Sequence, residues 1–436
     1  MSYNTAMRDD GGSDREMRAE RRNDDGVTGT PIGLPAPVVT PNAVAVPQGG
    51  FSDHSSLDRS LHRLSSQFQS KPERVLVAMS GGVDSSVTAG LLVEQGYEVV
   101  GATMKLFCSG DEVPDRPCCS LDSINDARRV CDTLGIPHYV LNMESAFGRD
   151  VVDDFVAEYA RGRTPIPCVR CNTFTKFRDL VHKADAIDAR WVATGHYARM
   201  IGGELHRGLD PAKDQSYFLW GIDRAVLSRL LLPVGSLTKA ETRERARALG
   251  LRVVADKVES QDICFVPHGD HTVIVASRLG AGAPALARGN FIRADGTIVG
   301  QHDGFVRYTV GQRRGVPGGF PEPMFVTEIR AGSREVVIGS RDELLGRGVI
   351  ARELRWLVDA PDVGTRVEVQ VRHRATPAHA EIVRIDGDEI ELALDEPVSA
   401  IAPGQSMVLY RGDLVLGGGV IESSRAARAL LPVIAA

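Results

Sequence analysis

No stretch of this chain approaches the ~20 apolar residues that a membrane-spanning helix needs, so a membrane partner is not expected. There is no basic excess either. Lys and Arg number 51 against 57 Asp and Glu, for a net charge of −6, so any nucleic-acid contact must come from local basic stripes. The first residues include Arg8, Asp9, Asp10, Arg15 and Glu16 with no apolar core. That argues against a secretory signal, and the acids weaken a transit-peptide reading. Cysteine is too sparse for a disulfide scaffold: seven thiols, an odd number, at 108, 118, 119, 131, 168, 171 and 264. A reducing, cytoplasmic setting is expected, where a C-x-x-C pair tends to be metal-binding or catalytic. The pair is Cys168 and Cys171, and no second C-x-x-C completes the four ligands of a structural zinc site. Neither a Walker A motif nor a solenoid-type repeat is present.

At 436 residues and 43% apolar content, the chain can build two or three cores. Residues 1–70 mix charge runs with Pro-rich stretches and lack periodicity, so they read as a disordered extension. From Arg74 the character changes. "RVLVAM", "EVVGATM" and "PHYVLNM" are short apolar runs of the kind buried parallel strands show. They alternate with "SVTAGLLVEQG" and "SINDARRVCDTLGI", whose apolar residues recur at helical spacing. The expectation is α/β, a doubly wound parallel sheet over residues 71–275. A Gly-punctuated, β-rich segment at 276–347 follows. Residues 348–436 alternate apolar and polar with a "DG" turn, as in an antiparallel β-barrel.

"SGGVDSS", Ser80–Ser86, sits between the first strand and the first helix. Glycines there let backbone N–H groups approach phosphate oxygens, and the helix start adds its dipole and open donors. Serine hydroxyls supply further donors, and Asp84 is a candidate ligand for Mg²⁺ between phosphates. The loop resembles that of the PP-loop ATPases, which cleave ATP between its α and β phosphates.

Further stretches narrow the resemblance. "AMSGGVDSSV", "GATMKLF", "CCSLDSINDARRVCDTLGIPHYVLNM", "GRTPIPCVRCNTFTKF", "VATGHYAR", "KDQSYFLWGI", "ESQDICFV", "YTVGQRRG" and "PGQSMVLY" occur in this order. Together they resemble the bacterial tRNA-uridine 2-sulfurtransferases, the MnmA-type 2-thiouridylases, from about residue 72 to near the C-terminus. The resemblance implies ATP-dependent conversion of the wobble uridine of Lys, Glu and Gln tRNAs to 2-thiouridine. It implies ATP contacts at Ala78, Met79, Ser80, Gly81, Gly82, Val83, Asp84, Ser85, Met104 and Gly195. Cys171 matches the family's nucleophile and Cys264 its persulfide carrier, with a Cys171–Cys264 disulfide as the product of transfer. Ile166, Pro167 and Cys168 fall where the family approaches the target base. Lys213, Asp214, Gln215, His196, Arg372, His373 and Gln405 fall where it meets tRNA.

Cys168 departs from the family pattern, which usually has Asp there. It is read as an extra thiol near the base, as a ligand of a [4Fe–4S] cluster with Cys171 and Cys264, or as the partner of Cys171 in a disulfide. The sulfur donor stays open between a persulfide-carrying relay protein and free sulfide. Two other functional classes compete: a PP-loop ligase or amidotransferase acting on a small substrate, and a non-enzymatic redox-sensing RNA binder. The first does not need Cys171 and Cys264, and the intact Asp84 and serine set argues against the second. Cys131, on the apolar side of a helix pattern, reads as a core residue.

Overall fold

The structure is a computed structural model that describes residues 72–106, 121–257, 263–266 and 269–426. The extension expected at 1–70 lies outside the described residues, as do Cys108, Cys118 and Cys119.

The elements that carry the argument are, in chain order, β1 (Arg74–Ala78), α1 (Val83–Glu94), β2 (Glu98–Lys105), α2 (Leu121–Leu134), β3 (His138–Asn142), α3 (Pro167–Arg170), α4 (Asp179–Asp185), β4 (Trp191–Ala193), β5 (Ala198–Ile201), β6 (Glu204–Arg207), β7 (Leu230–Leu231) and α5 (Lys239–Ala248). The first sheet runs β3-β2-β1-β4-β7 with every neighbouring pair parallel. Its central strand shows why both faces are covered. Val75 and Val77 point into a core with Val87 and Leu92 of α1 and Ala127, Val130 and Cys131 of α2. Leu76 and Ala78 point the other way, against Leu180 and Ala184 of α4. A period-two strand with two apolar faces is the pattern of a doubly wound sheet, so the expected fold class is the one observed. Cys131 is fully buried in the first of these cores, and burial pushes its thiol up to about 12.

The chain's course through the sheet reverses beside β1, with β2 and β3 on one side and β4 and β7 on the other. In such sheets the crevice beyond the strands' carboxyl ends, at this switch point, is where ligands bind. The turn after β1 and the turn after β4 meet there.

A second sheet, β10-β11-β8-β9, is built from β8 (Arg288–Ile292), β9 (Ile298–Asp303), β10 (Phe325–Arg330) and β11 (Glu335–Gly339). It packs on the first unit through one apolar cluster. That cluster holds Phe291, Val326, Val336 and Ile338 together with Phe147, Phe155, Phe265 and Cys171.

The remaining strands are β12 (Leu345–Trp356), β13 (Arg366–Gln370), β14 (Ala378–Asp386), β15 (Glu389–Ser399), β16 (Ser406–Arg411) and β17 (Leu414–Ala426). They pair in the order β12-β15-β14-β13-β16-β17, and β12 pairs with β17 to close the barrel. Closure removes the exposed edges that an open sheet would present. The "DG" signal turns β14 into β15, with Gly387 at φ 59°.

One hairpin crosses the expected boundary. β5 and β6 lie in the sequence of the first unit, yet β6 pairs with β17, Leu414 opposite His206. The phosphate-loop unit and the barrel therefore share a sheet. Arg366, Arg372 and Arg374 recur at even spacing in the sequence, as residues on one strand face would. β13 ends at Gln370, and Arg374 takes φ 64°, so the three do not share a strand face.

Candidate functional site

The phosphate loop is shaped by its own side chains. Met79 N–H donates to Ala102 O, which holds the loop's first residue to the sheet. Ser80 N–H donates to Ser85 Oγ at 3.1 Å, and the two hydroxyl oxygens are also 3.1 Å apart. Ser85 and Ser86 both donate to Gly82 O, at 3.2 and 2.8 Å. Gly82 is the N-cap of α1 and has no capping side chain. The first N–H groups of α1 are thus left for an incoming acceptor, an arrangement that suits an anion. Gly195, in the turn after β4, stands against this loop. A Cβ there would fall 2.6 Å from Ser85 N, so only glycine lets the β4 turn close over the loop.

Asp84 is not an open carboxylate. Lys239 Nζ donates to both of its oxygens, at 2.7 and 2.9 Å, and Tyr197 Oη lies 2.8 Å from Oδ1. A Mg²⁺ ion at Asp84 would have to displace an ammonium that is itself mostly buried, so the donor set does not fit the metal role expected for it. Lys239 is the first residue of α5, which Thr238 and Glu241 start with a reciprocal capping box. Sequence reasoning passed over Lys239, though the "TKAE" capping signal stood in view.

Lys257 was also missed, and no local pattern marks it. Its ammonium donates to Gly81 O at 3.0 Å and to Asp126 Oδ2 of α2 at 2.7 Å. Arg243 of α5 holds the same turn by donating to Ala255 O at 2.9 Å. α5 thus grips the loop twice, through Lys239 at Asp84 and through Arg243 and Lys257 at Gly81. A charged hydrogen bond of this kind is worth about 1.5–3 kcal/mol. Lys257→Met is expected to raise the KM for ATP by roughly tenfold with a smaller effect on kcat, measured by steady-state kinetics.

Cys168 and Cys171 lie one helical turn apart. Cys171 N–H donates to Cys168 O and Pro167 O, closing α3. Pro167 opens this helix at its first turn, where a missing N–H costs nothing. Cys168 is exposed, whereas Cys171 is 6% exposed and belongs to the apolar cluster with Phe147 and Phe155. Cys264, half-buried, packs against that same cluster, as does Met104 of β2. Phe265 anchors the Cys264 turn, with its ring 5.6 Å from Phe147 and 5.1 Å from Phe155 in edge-on contacts.

The chain continues from Cys171 to Arg178 as a π-helix, a rare form found mostly at functional sites. Buried Asn172 Oδ1 and Thr175 Oγ1 within it have no hydrogen-bond partner among the described residues. The cluster-ligand reading of Cys168, Cys171 and Cys264 meets a geometric obstacle. Cys168 faces solvent while the other two turn to the apolar cluster. Among the described residues no three His, Cys, Asp or Glu side chains gather into a metal-holding group. In this arrangement the three cysteines do not converge as a donor set for [4Fe–4S].

The residues expected to meet tRNA divide into two kinds. Asp214, Gln215 and Gln405 are committed internally. Asp214 accepts from Gly208 N–H, Ser216 N–H and the Ser216 hydroxyl, and pairs with Arg207. Gln215 Oε1 accepts from Tyr197 N–H, and buried Gln405 donates to Thr164 O at 2.8 Å. These bonds set the shape of the loop that carries half-buried Lys213. Arg372 donates to Val310 O and Ala400 O, tying the barrel to the central unit. Ile166 lines a shallow solvent-open cleft between α3 and the barrel, with Arg170, Phe174, Trp220 and Arg355.

His196 shares a 2.7 Å hydrogen bond with Thr194 and lies beside Phe177, while His373 packs on Phe218. Burial, aided by neighbouring Lys176, pushes His196 down to about 3, and burial with Arg374 pushes His373 down to about 4. Both are neutral at pH 7, so neither offers a cation to phosphate. Their folded-state values lie below those of the unfolded chain. Stability is therefore complete above pH ~6.5 and falls as the unfolded state takes up protons, by about 1.4 kcal/mol per pH unit per group. Urea unfolding at pH 7 and pH 5 should show a smaller loss for His196→Gln than for the parent protein.

Comparison with known proteins supports the same reading. Residues 73–268 match the tRNA methyl transferase HUP domain, residues 282–340 the tRNA methyl transferase PRC-barrel domain and residues 346–421 the aminomethyltransferase β-barrel domain. The tRNA-specific 2-thiouridylase MnmA of Carboxydothermus hydrogenoformans is 47% identical over 361 residues, 80% of this chain and 98% of the relative. That of Rhodospirillum centenum is 49% identical over 82% of this chain and 93% of its own length. That of Geobacter metallireducens is 44% identical over 81% and 97%. With such identity sustained over nearly the whole of each relative, the chain belongs to the MnmA family of tRNA-specific 2-thiouridylases.

Proposed function

We propose that this protein converts the wobble uridine of Lys, Glu and Gln tRNAs to 2-thiouridine, with ATP as activator and a cysteine persulfide as sulfur source. One observation carries the reading: Cys171 and Cys264, far apart in sequence, reach the same apolar cluster as Met104, whose strand neighbours the one feeding the phosphate loop. Uridine O2 attacks the α-phosphate of ATP and pyrophosphate leaves, which turns a poor leaving oxygen into adenylate. The serine hydroxyls and the open N–H groups of α1 hold the phosphates. Lys239 and Lys257 keep the loop in register and supply positive charge near it.

The outer sulfur of the Cys264 persulfide then attacks C2 and AMP departs, leaving a C2–S–S–Cys264 adduct. Cys171 thiolate attacks the Cys264 sulfur. The S–S bond to the base breaks, its electron pair passes to the uridine sulfur, and a Cys171–Cys264 disulfide forms. Two electrons from Cys171 and Cys264 thus reduce the sulfane sulfur, and an external reductant must restore both thiols. The apolar surroundings keep water from the adenylate. Lys213 and Arg372 are assigned to tRNA contact, and Ile166 and Pro167 to the approach of the base, on the family resemblance.

The test is nucleoside analysis by mass spectrometry after incubating unmodified tRNA with the protein and Mg-ATP. One arm receives a persulfide-charged donor protein and another sulfide. ATP-dependent 2-thiouridine with the persulfide donor is expected. Product from sulfide alone would replace the relay by direct sulfide attack. No product in either arm would refute the activity.

A further inference from the structure

The relay ends with its product in an awkward place. A Cys171–Cys264 disulfide would join a thiol that is 6% exposed to one half-buried against the same aromatic cluster. A protein-sized reductant must reach a sulfur in line with the bond it breaks, and both cysteines belong with Phe147, Phe155 and Phe265 to one apolar cluster that screens them from such a partner. Cys168 is exposed and lies one turn before Cys171 on the same helix, linked to it by the Cys171 N–H to Cys168 O hydrogen bond. Residues three apart on a helix have Cβ atoms about 5–6 Å apart. A disulfide needs about 3.5–4.5 Å, so a small adjustment of a four-residue helix suffices.

We propose that Cys168 is a resolving thiol that carries the disulfide from the interior to the surface. This rests on the persulfide relay proposed above. Cys168 thiolate attacks Cys171 Sγ of the Cys171–Cys264 disulfide. The Cys168–Cys171 bond forms, the Cys171–Cys264 bond breaks, and Cys264 leaves as thiolate. One disulfide replaces another, with no net oxidation. Cys264 is at once ready for a new persulfide. The exposed Cys168–Cys171 disulfide is then reduced by an external dithiol of the thioredoxin class, which takes the oxidising equivalents as its own disulfide. The C-x-x-C spacing suits this role, since the surface member meets the reductant and the buried member meets the chemistry.

The experiment compares turnover within each protein under two reductants, a thioredoxin-type protein and a small dithiol. Wild-type protein should turn over at similar rates with both. Cys168→Ser should make about one equivalent of 2-thiouridine and then slow about tenfold with the protein reductant, and regain speed with the small dithiol. A variant impaired only in tRNA binding or folding would be equally slow with both. Acid quench after one wild-type turnover, alkylation and peptide mapping should show Cys168 joined to Cys171 and Cys264 alkylated. A persisting Cys171–Cys264 disulfide with Cys168 alkylated would overturn the proposal, as would a Cys168→Ser variant insensitive to reductant size. Turnover that oxidises none of the three cysteines would refute the relay itself.

Discussion

Cys264→Ser is expected to lose 2-thiouridine formation by about 10³-fold or more while binding ATP normally. A serine oxygen cannot carry a sulfane sulfur, and its turn stays anchored by Phe265 against Phe147 and Phe155. Cys171→Ser should be as inactive but fail differently. On the proposed relay the persulfide should still reach C2, with no thiolate present to cleave the adduct. A tRNA–protein conjugate should accumulate, visible as a shifted band on a denaturing, non-reducing gel and released by a small thiol. Cys264→Ser should form no conjugate, and omission of ATP should abolish it in Cys171→Ser. A Cys264→Ser protein that thiolates tRNA at the normal rate would refute the relay. A Cys171→Ser protein without conjugate would place Cys171 before sulfur transfer rather than after it.

Much of this molecule is legible from its sequence because local pattern and tertiary demand agree. "RVLVAM" is apolar on both faces since helices cover both faces of β1. "SGGVDSS" is legible as a strand-to-helix turn, since Gly81 takes a positive φ and the serines hydrogen-bond within the turn. The rest depended on contacts distant in sequence. Nothing in "ARMIGGELHR" signals that β6 pairs with β17, because a hairpin's own pattern does not name its neighbour. Lys257 and Asp126 reach each other and Gly81 only after α2 and the turn beyond α5 have packed. Asp84, read from its motif as a metal ligand, proved to be paired because Lys239 comes from a different element. The pair Cys168 and Cys171 was visible as spacing. That one thiol faces solvent and the other the core follows only from how the helix seats on the central sheet.

The two adjacent glycines of the phosphate loop should respond oppositely to the same methyl group. Gly81 has φ 70°, a conformation costing an L-residue about 1–2 kcal/mol. A Cβ there would also sit inside the Ser123 carbonyl, which belongs to the backbone of α2 and cannot swing aside. The loop must shift, and Lys257 loses the Gly81 oxygen it holds. Gly81→Ala is expected to weaken ATP binding by about 10²-fold, the equivalent of roughly 3 kcal/mol of strain and lost contact. Gly82 has φ −101° and its nearest obstacle is Ser80 Oγ at 3.4 Å, an ordinary contact with a side chain that can rotate. Gly82→Ala should fold with an unaltered loop and keep ATP affinity within about threefold. Titration of ATP by calorimetry, with circular dichroism to confirm both folds, separates the cases. Equal loss at both positions would mean that the methyl group at Gly82 meets the phosphate itself, and that close approach of the ligand rather than the loop's own conformation dictates the second glycine.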